Sequence, residues 1–196
     1  MCWSFQVSFA TWAIAFVCSI VLMRRGHPND YSLGMLLLFY SSIQLWEALM
    51  WLDQAGGTLN FTATYLAYFA LYSHAFAIGL GIYAEYRDPV PLVIGSLSLL
   101  VGVVQLFRLP RFTPSFPASD CGHLKWGFQT DFYKWIFYLA MVLALVYMRP
   151  IQTALMAWGV FAASFAFAYL FFAKGGVATM WCFIAAIAGP LFLWLN

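Results

Sequence analysis

Tyr31-Ser32-Leu33-Gly34-Met35-Leu36-Leu37-Leu38-Phe39-Tyr40-Ser41-Ser42-Ile43-Gln44-Leu45-Trp46-Glu47-Ala48-Leu49-Met50-Trp51-Leu52 holds one charge, Glu47, in a stretch long enough to cross a bilayer. A hydrocarbon core about 30 Å thick needs roughly 20 apolar residues in a helix. Working outward, segments of the same character fall at 4–23, 62–84, 91–108, 132–148, 151–173 and 177–195. The breaks carry helix-ending chemistry: Arg24-Arg25-Gly26-His27-Pro28-Asn29-Asp30, Asp53-Gln54-Ala55-Gly56-Gly57, Arg87-Asp88-Pro89, Arg149-Pro150 and Lys174-Gly175-Gly176. The expected fold is an all-α, polytopic transmembrane bundle of seven spans forming a single domain, residues 1–196. Segment 132–148 is the shortest, and Gln105 lies near the end of 91–108, so six or eight spans stay open.

Composition agrees. Hydrophobic residues make up 64% of the chain and charged residues 8%, with a mean hydropathy of +0.84. Soluble domains run near 25% charged, so a soluble particle of this composition could not cover its surface with polar groups. Hydrocarbon tolerates only helices or closed barrels, and the continuous apolar runs exclude the alternating pattern of barrel strands. The net charge of +2 is too small and dispersed for nucleic acid. Met1-Cys2-Trp3-Ser4 has neither a basic n-region nor a small-residue cleavage site, so the first segment is expected to be retained. Cys2, Cys18, Cys121 and Cys182 show no CxxC and no metal-ligand spacing, so no metal and no cofactor is expected.

One connection is long. Residues 109–130 contain Pro110, Pro114 and Pro117, followed by Cys121-Gly122-His123-Leu124-Lys125-Trp126. A connection of this length is functional or disordered, and its aromatic residues place it at the membrane interface, with the character of a lid. Seven spans put the termini on opposite sides. The far side from the N-terminus then holds Arg24, Arg25, Arg87 and Arg149, and the near side Arg108, Arg111, Lys125, Lys134 and Lys174, which nearly balances the positive-inside rule. Arg24-Arg25 after the first span favours an N-terminus outside or in a lumen and a cytoplasmic C-terminus. Asn60-Phe61-Thr62 is a glycosylation sequon on the near side. Cys2 and Cys121 share that side and would pair if it is oxidising. Sequon and cysteines are equally open to being chance.

Glu47 is the one acid well inside a span. Ser41, Gln44, Glu47 and Trp51 share a helix face. An ionised carboxylate in a membrane is costly, faces the bundle interior and finds a partner, which makes it a functional-site hypothesis; the plain alternative is a carboxyl that ties helices together. The next span offers His74, with Tyr65, Tyr68 and Tyr72 leading to it. A short loop makes the two spans antiparallel neighbours, so Glu47 and His74 are expected within a turn or two of one depth, as a proton relay or ion-binding element. The plain alternative is a neutral histidine bonded to helix backbone or tyrosine. Span seven opens with Ala178-Thr179-Met180-Trp181-Cys182-Phe183; from its chemistry alone Cys182 is a small packing residue. Gly79, Gly81, Gly95, Gly102, Gly159 and Ala163 suit close helix packing.

Residues 177–196 contain no lysine for a retinal linkage, and only His74 stands inside a span, too few histidines for a zinc-dependent intramembrane hydrolase. Together, Gln44-x-x-Glu47-x-x-x-Trp51, Cys121-Gly122-His123-Leu124-Lys125-Trp126 and Thr179-x-Trp181-Cys182 resemble a family of small, roughly seven-span membrane proteins of unknown function found in large DNA viruses, protists and some bacteria. The resemblance implies about seven helices, marks Gln44, Glu47, Trp51, Trp181 and Cys182, and implies no activity.

The expected function is a channel or transporter passing protons or a small solute through a polar cavity around Glu47 and His74, with Gln44 as orienting hydrogen bonder. An intramembrane enzyme or lipid-binding protein, and a structural or assembly protein of a membrane, are the alternatives. The leading reading is not enzymatic. Expected partners are the lipid bilayer and a small ion or solute, with a homo-oligomer left open.

Overall fold

A computed structural model describes residues 4–108, 114–117, 124–126, 134–172 and 186–194. The described residues form helices α1 (Phe5–Arg25), α2 (Asp30–Leu52), α3 (Thr58–Tyr86), α4 (Val90–Arg108), α5 (Lys134–Leu145), α6 (Ile151–Phe172) and α7 (186–194). Strands β1 (Phe116–Pro117) and β2 (Leu124–Lys125) pair antiparallel within the long connection, Phe116 opposite Lys125 and Pro117 opposite Leu124. Among the described residues α1, α2, α3, α4 and α6 are long and apolar enough to cross a membrane. The chain is therefore an all-helical, multi-pass membrane protein. The expected seventh segment, 177–195, is described only over 186–194.

The helices end where local chemistry stops them. Ser4 caps α1 by accepting the Val7 N–H at 3.5 Å, and Arg24 and Arg25 occupy its last turn, favourable against the helix dipole. Gly26 then takes the left-handed conformation, φ 80°, which glycine adopts without a Cβ penalty. Asp88 accepts the Val90 N–H at the start of α4. Helix α3 begins before and ends after the expected 62–84 because its extra residues include the polar Thr58, Asn60 and Glu85, which break the apolar run at the helix ends where apolarity cannot mark a boundary.

The two central helices are α2 and α3. In their most apolar windows 67% and 72% of residues are buried, against 33% for α1 and 28% for α4 and α6. Sequential helices pack as neighbours from α1 to α4, α5 lies against α3 and α4, and α6 against α5. Tyr40 of α2, Phe161 of α6 and Phe192 of α7 form a chain of ring contacts, with centroids 5.2 Å and 6.5 Å apart, which carries the core across to the C-terminal helices. Small residues permit close approach in a medium that supplies little hydrophobic force between helices. A Cβ on Gly81 would lie 2.5 Å from Ser32 Cα, and one on Gly95 2.4 Å from Phe76 Cα. Gly79 meets the backbone of Pro91, and Gly102 meets the Tyr72 ring. Among the described residues a Cβ on Gly159 would meet nothing within 4 Å and Ala163 is exposed, so neither makes there the close helix packing expected of it.

The helix ends sort into two levels. At one, Arg25 grips Asp30 through both side-chain nitrogens, at 2.8 and 2.6 Å, and donates to the Leu193 carbonyl at 2.7 Å. The buried Asn29 bonds the backbone of Arg149 through both its amide groups, and Tyr86 donates to the Arg149 carbonyl at 3.0 Å. The ends of α1, α3 and α7, the start of α2 and the turn between α5 and α6 are thus tied together. At the other level lie Asp53, Asn60, Ser115, Leu124 and Trp126.

Candidate functional site

Helix α2 presents Tyr40, Gln44 and Glu47 on one face, with spacings of four, three and seven residues. The face is turned inward: Tyr40, Gln44 and Glu47 are 1%, 1% and 2% exposed. Glu47 accepts two hydrogen bonds. One comes from Gln44 Nε2 at 2.7 Å, a turn back on the same helix. The other comes from the indole Nε1 of Trp126 at 2.9 Å, a residue 79 positions away in the long connection. Among the described residues the ion pairs are Arg25–Asp30 and Arg149–Asp88; none reaches Glu47. Both of its bonds come from neutral N–H groups, which suit a carboxylate, an acceptor at both oxygens.

Trp126 reaches Glu47 because the helices beneath it are small-faced. Met50 of α2, Ala63 and Ala67 of α3 and Leu124 of β2 form a buried cluster, with Trp46, Leu49, Trp51 and Trp126 packed against it. Ala63 and Ala67 leave room that Leu124, only 1% exposed, fills. The connection therefore enters the helix end rather than merely lying over it.

A second polar node fixes the connection's other arm. Asn60 is fully buried. Its Nδ2 donates to the carbonyls of Met50, Asp53 and Ser115 at 3.3, 3.0 and 2.8 Å, and its Oδ1 accepts the Ser115 N–H at 2.8 Å. Thr64 and Ser115 share a hydroxyl–hydroxyl bond of 2.9 Å. Asp53 accepts the backbone N–H groups of Gly57 and Asn60 at 3.1 and 3.0 Å, closing the turn. Gly56 sits against Pro114 and Phe116, where a Cβ would meet Phe116 at 2.9 Å. This overturns the sequon as a clue to orientation: an amide nitrogen buried against three carbonyls leaves no room for a glycan.

Glu47 takes its two hydrogen bonds from Gln44 and Trp126, and His74 lies beside Tyr40. Fully buried His74 packs on Tyr40, ring centroids 4.7 Å apart, with the backbones of Leu71 and Phe39 as polar neighbours. Tyr40 precedes Glu47 by seven residues, about 10 Å along a helix. The two spans are neighbours as expected, and the Asp53–Asn60 turn sets a register that levels Met50 with Asn60 and Tyr40 with His74, which leaves Glu47 and His74 about two turns apart in depth. The partner of Glu47 is Trp126, which the sequence offered within Cys121-Gly122-His123-Leu124-Lys125-Trp126 without any sign of the pairing. Trp51 lies on the Met50 cluster, half-buried. Trp181, Cys182, Cys2 and Cys121 lie outside the described residues, and with them the expected disulfide.

Among the described residues, two clefts are lined almost wholly by apolar atoms. One of ≈ 450 Å³ runs between α1, α2 and α3, with Trp12, Phe39, Trp46 and Phe69 in its walls; one of ≈ 200 Å³ lies between α5 and α6. The hydroxyls of Ser42 and Ser73 on the larger cleft turn back to the Phe39 and Phe69 carbonyls. Among the described residues no group of three or more His, Cys, Asp or Glu side chains could hold a metal.

The chain matches no protein-family model, no curated protein and no solved structure.

Proposed function

We propose that the chain is a seven-pass membrane transporter or channel for a proton or small solute, with Glu47 as its binding residue and Trp126 as the cap that occludes it. One observation carries this reading. A carboxylate retained only to tie helices together would bond across a helix interface. Glu47 bonds its own helix and the long connection, so its second bond can be broken without separating any two helices. Tyr40 and His74 lie deeper on the same α2–α3 seam and supply its next polar station. The conformation described is the closed one: Glu47 is sealed, and the route opens when Trp126 leaves.

The common level of Arg25, Asp30, Arg149 and Leu193 supports an odd number of passes. Arg24 and Arg25, with Arg87 and Arg149, favour that level as cytoplasmic and the N-terminus as outside or lumenal.

The test is flux into proteoliposomes, read with a pH-sensitive dye inside the vesicles. Glu47→Gln is expected to abolish flux while the protein remains monodisperse. Retained flux would overturn the reading. Lost stability together with an equally inactive wild type would point to a structural role. The larger cleft favours lipid binding as a second reading. Its experiment is native mass spectrometry from mild detergent: a retained lipid lost on Ala70→Trp supports it, and an identical lipid complement in both proteins sinks it.

A further inference from the structure

We propose that the cleft between α1, α2 and α3 seats one acyl chain of a bilayer phospholipid from the leaflet on the Asn60 side; this rests on the second reading above, in which that cleft binds lipid. All three helices are long and apolar enough to cross a membrane. Phe16, Leu66 and Phe69 on the cleft are 37%, 36% and 40% exposed, so it opens sideways to hydrocarbon. Its depth follows from α2. Trp46, at one end, stands about 9 Å along the helix from Leu52, and Leu38, at the other, about 21 Å. The cleft therefore starts below the interface and stops just past the middle of a helix about 34 Å long. Its ≈ 450 Å³, spread over about 12 Å of helix, leaves a cross-section of roughly 40 Å². A neighbouring helix, about 10–12 Å across with its side chains, needs roughly 80 Å² or more. The cleft is too narrow for a helix and wide enough for a chain. Its lining carries no charged side chain, and the hydroxyls of Ser42 and Ser73 bond the Phe39 and Phe69 carbonyls. No group in it recognises a sterol hydroxyl or the carboxylate of a free fatty acid, so nothing favours these over the phospholipid that surrounds the protein in excess. No hydrophobic force drives a chain out of lipid into the cleft. What holds it is dispersion against preformed walls that include Trp12, Phe39 and Phe69. Chain length, which decides whether the chain reaches the floor at Leu38, therefore governs binding, and the headgroup does not.

The experiment is native mass spectrometry of the full chain, delipidated in an uncharged detergent, with lipids added back singly. Dioleoylphosphatidylcholine and dioleoylphosphatidylglycerol are each expected to give one adduct that outlasts all others on collisional activation, at similar occupancy. Dihexanoylphosphatidylcholine, whose chains end near the mouth of the cleft, should bind several-fold less. Ala70→Trp fills the cleft from the buried α3 wall and should remove the adduct. Ser42→Phe narrows it from a half-buried position and serves if the first variant fails to fold. Val93→Phe, on a face of α4 that is 56% exposed, should leave the adduct in place. An adduct that dihexanoylphosphatidylcholine forms equally well, that depends strongly on the headgroup, or that oleate displaces at lower concentration than a phospholipid does, overturns the single-chain assignment yet leaves the lipid-binding reading standing. An adduct that survives both cleft variants, or no adduct of any lipid, overturns both. Dimers that Ala70→Trp dissolves, in place of a lipid adduct, give the cleft to a second copy of the chain and likewise overturn both.

Discussion

Replacing Asn60 by alanine should release the long connection from the helix bundle. The amide of Asn60 forms both bonds to the Ser115 backbone, accepting its N–H and donating to its carbonyl, each at 2.8 Å. Both are buried, and Asn60 itself is fully enclosed. Truncation leaves this N–H and C=O without their partner, at about 1–3 kcal/mol each. The Met50 and Asp53 carbonyls also lose a donor, at longer range, 3.3 and 3.0 Å, and as helix-end groups they can turn to other donors. The expected loss is therefore about 3–5 kcal/mol, or a midpoint lowered by roughly 6–20 °C on the scale of domains of similar length. The assay is thermal unfolding in detergent. Thr62→Ala is the matched control: it destroys the sequon Asn60-Phe61-Thr62 at an exposed residue and should change the midpoint by under about 0.5 kcal/mol. Equal effects of the two substitutions, or a glycan found on Asn60, would refute the reasoning.

Other outcomes follow from the same contacts. Gly95→Ala places a Cβ against the α3 backbone and should cost about 2 kcal/mol or more, whereas Gly159→Ala meets nothing and should be neutral or stabilising by up to about 1 kcal/mol; chemical unfolding in micelles separates them. Asp30→Asn strips the buried partner from Arg25, whose side chain is 22% exposed, and should destabilise by about 3 kcal/mol, read as a lower midpoint. Leu124→Ala empties the space beside Ala63 and Ala67 and should cost about 2–4 kcal/mol. It should also loosen Trp126, so proteoliposome flux of this variant is expected to rise above that of the wild type.

How far the sequence reaches is clear from particular residues. The apolar runs located α1, α2 and α4 within two residues at most ends because lipid forces apolarity onto every exposed position of a span. Helix α3 ran longer than its apolar run, since Thr58, Asn60 and Glu85 interrupt apolarity at its ends, where hydrogen bonding decides the boundary. The Gln44–Glu47 bond was legible because it is local, three residues on one helix. Neighbouring spans were legible too, but their register was not. It depends on Asp53 and Asn60 closing a turn whose side-chain bonds leave no periodic trace. The sequence therefore places His74 within about two turns of Glu47 but carries no sign that His74 packs on Tyr40. Trp126 stood in a conspicuous motif, yet its 79-residue reach to Glu47 depends on room left by Ala63 and Ala67 and on the anchoring of Ser115. Asn60 shows the opposite hazard: a surface modification signal occupied a position whose amide the fold uses internally.

The most direct measurement compares proteoliposome flux of the wild type, Trp126→Phe and the double variant Glu47→Gln/Trp126→Phe. If Trp126 caps a working carboxylate, Trp126→Phe conducts several-fold faster than the wild type, and the double variant falls to the level of empty vesicles. Wild-type and Trp126→Phe vesicles with the same flux, or a double variant as fast as Trp126→Phe, would contradict a capped, Glu47-dependent route.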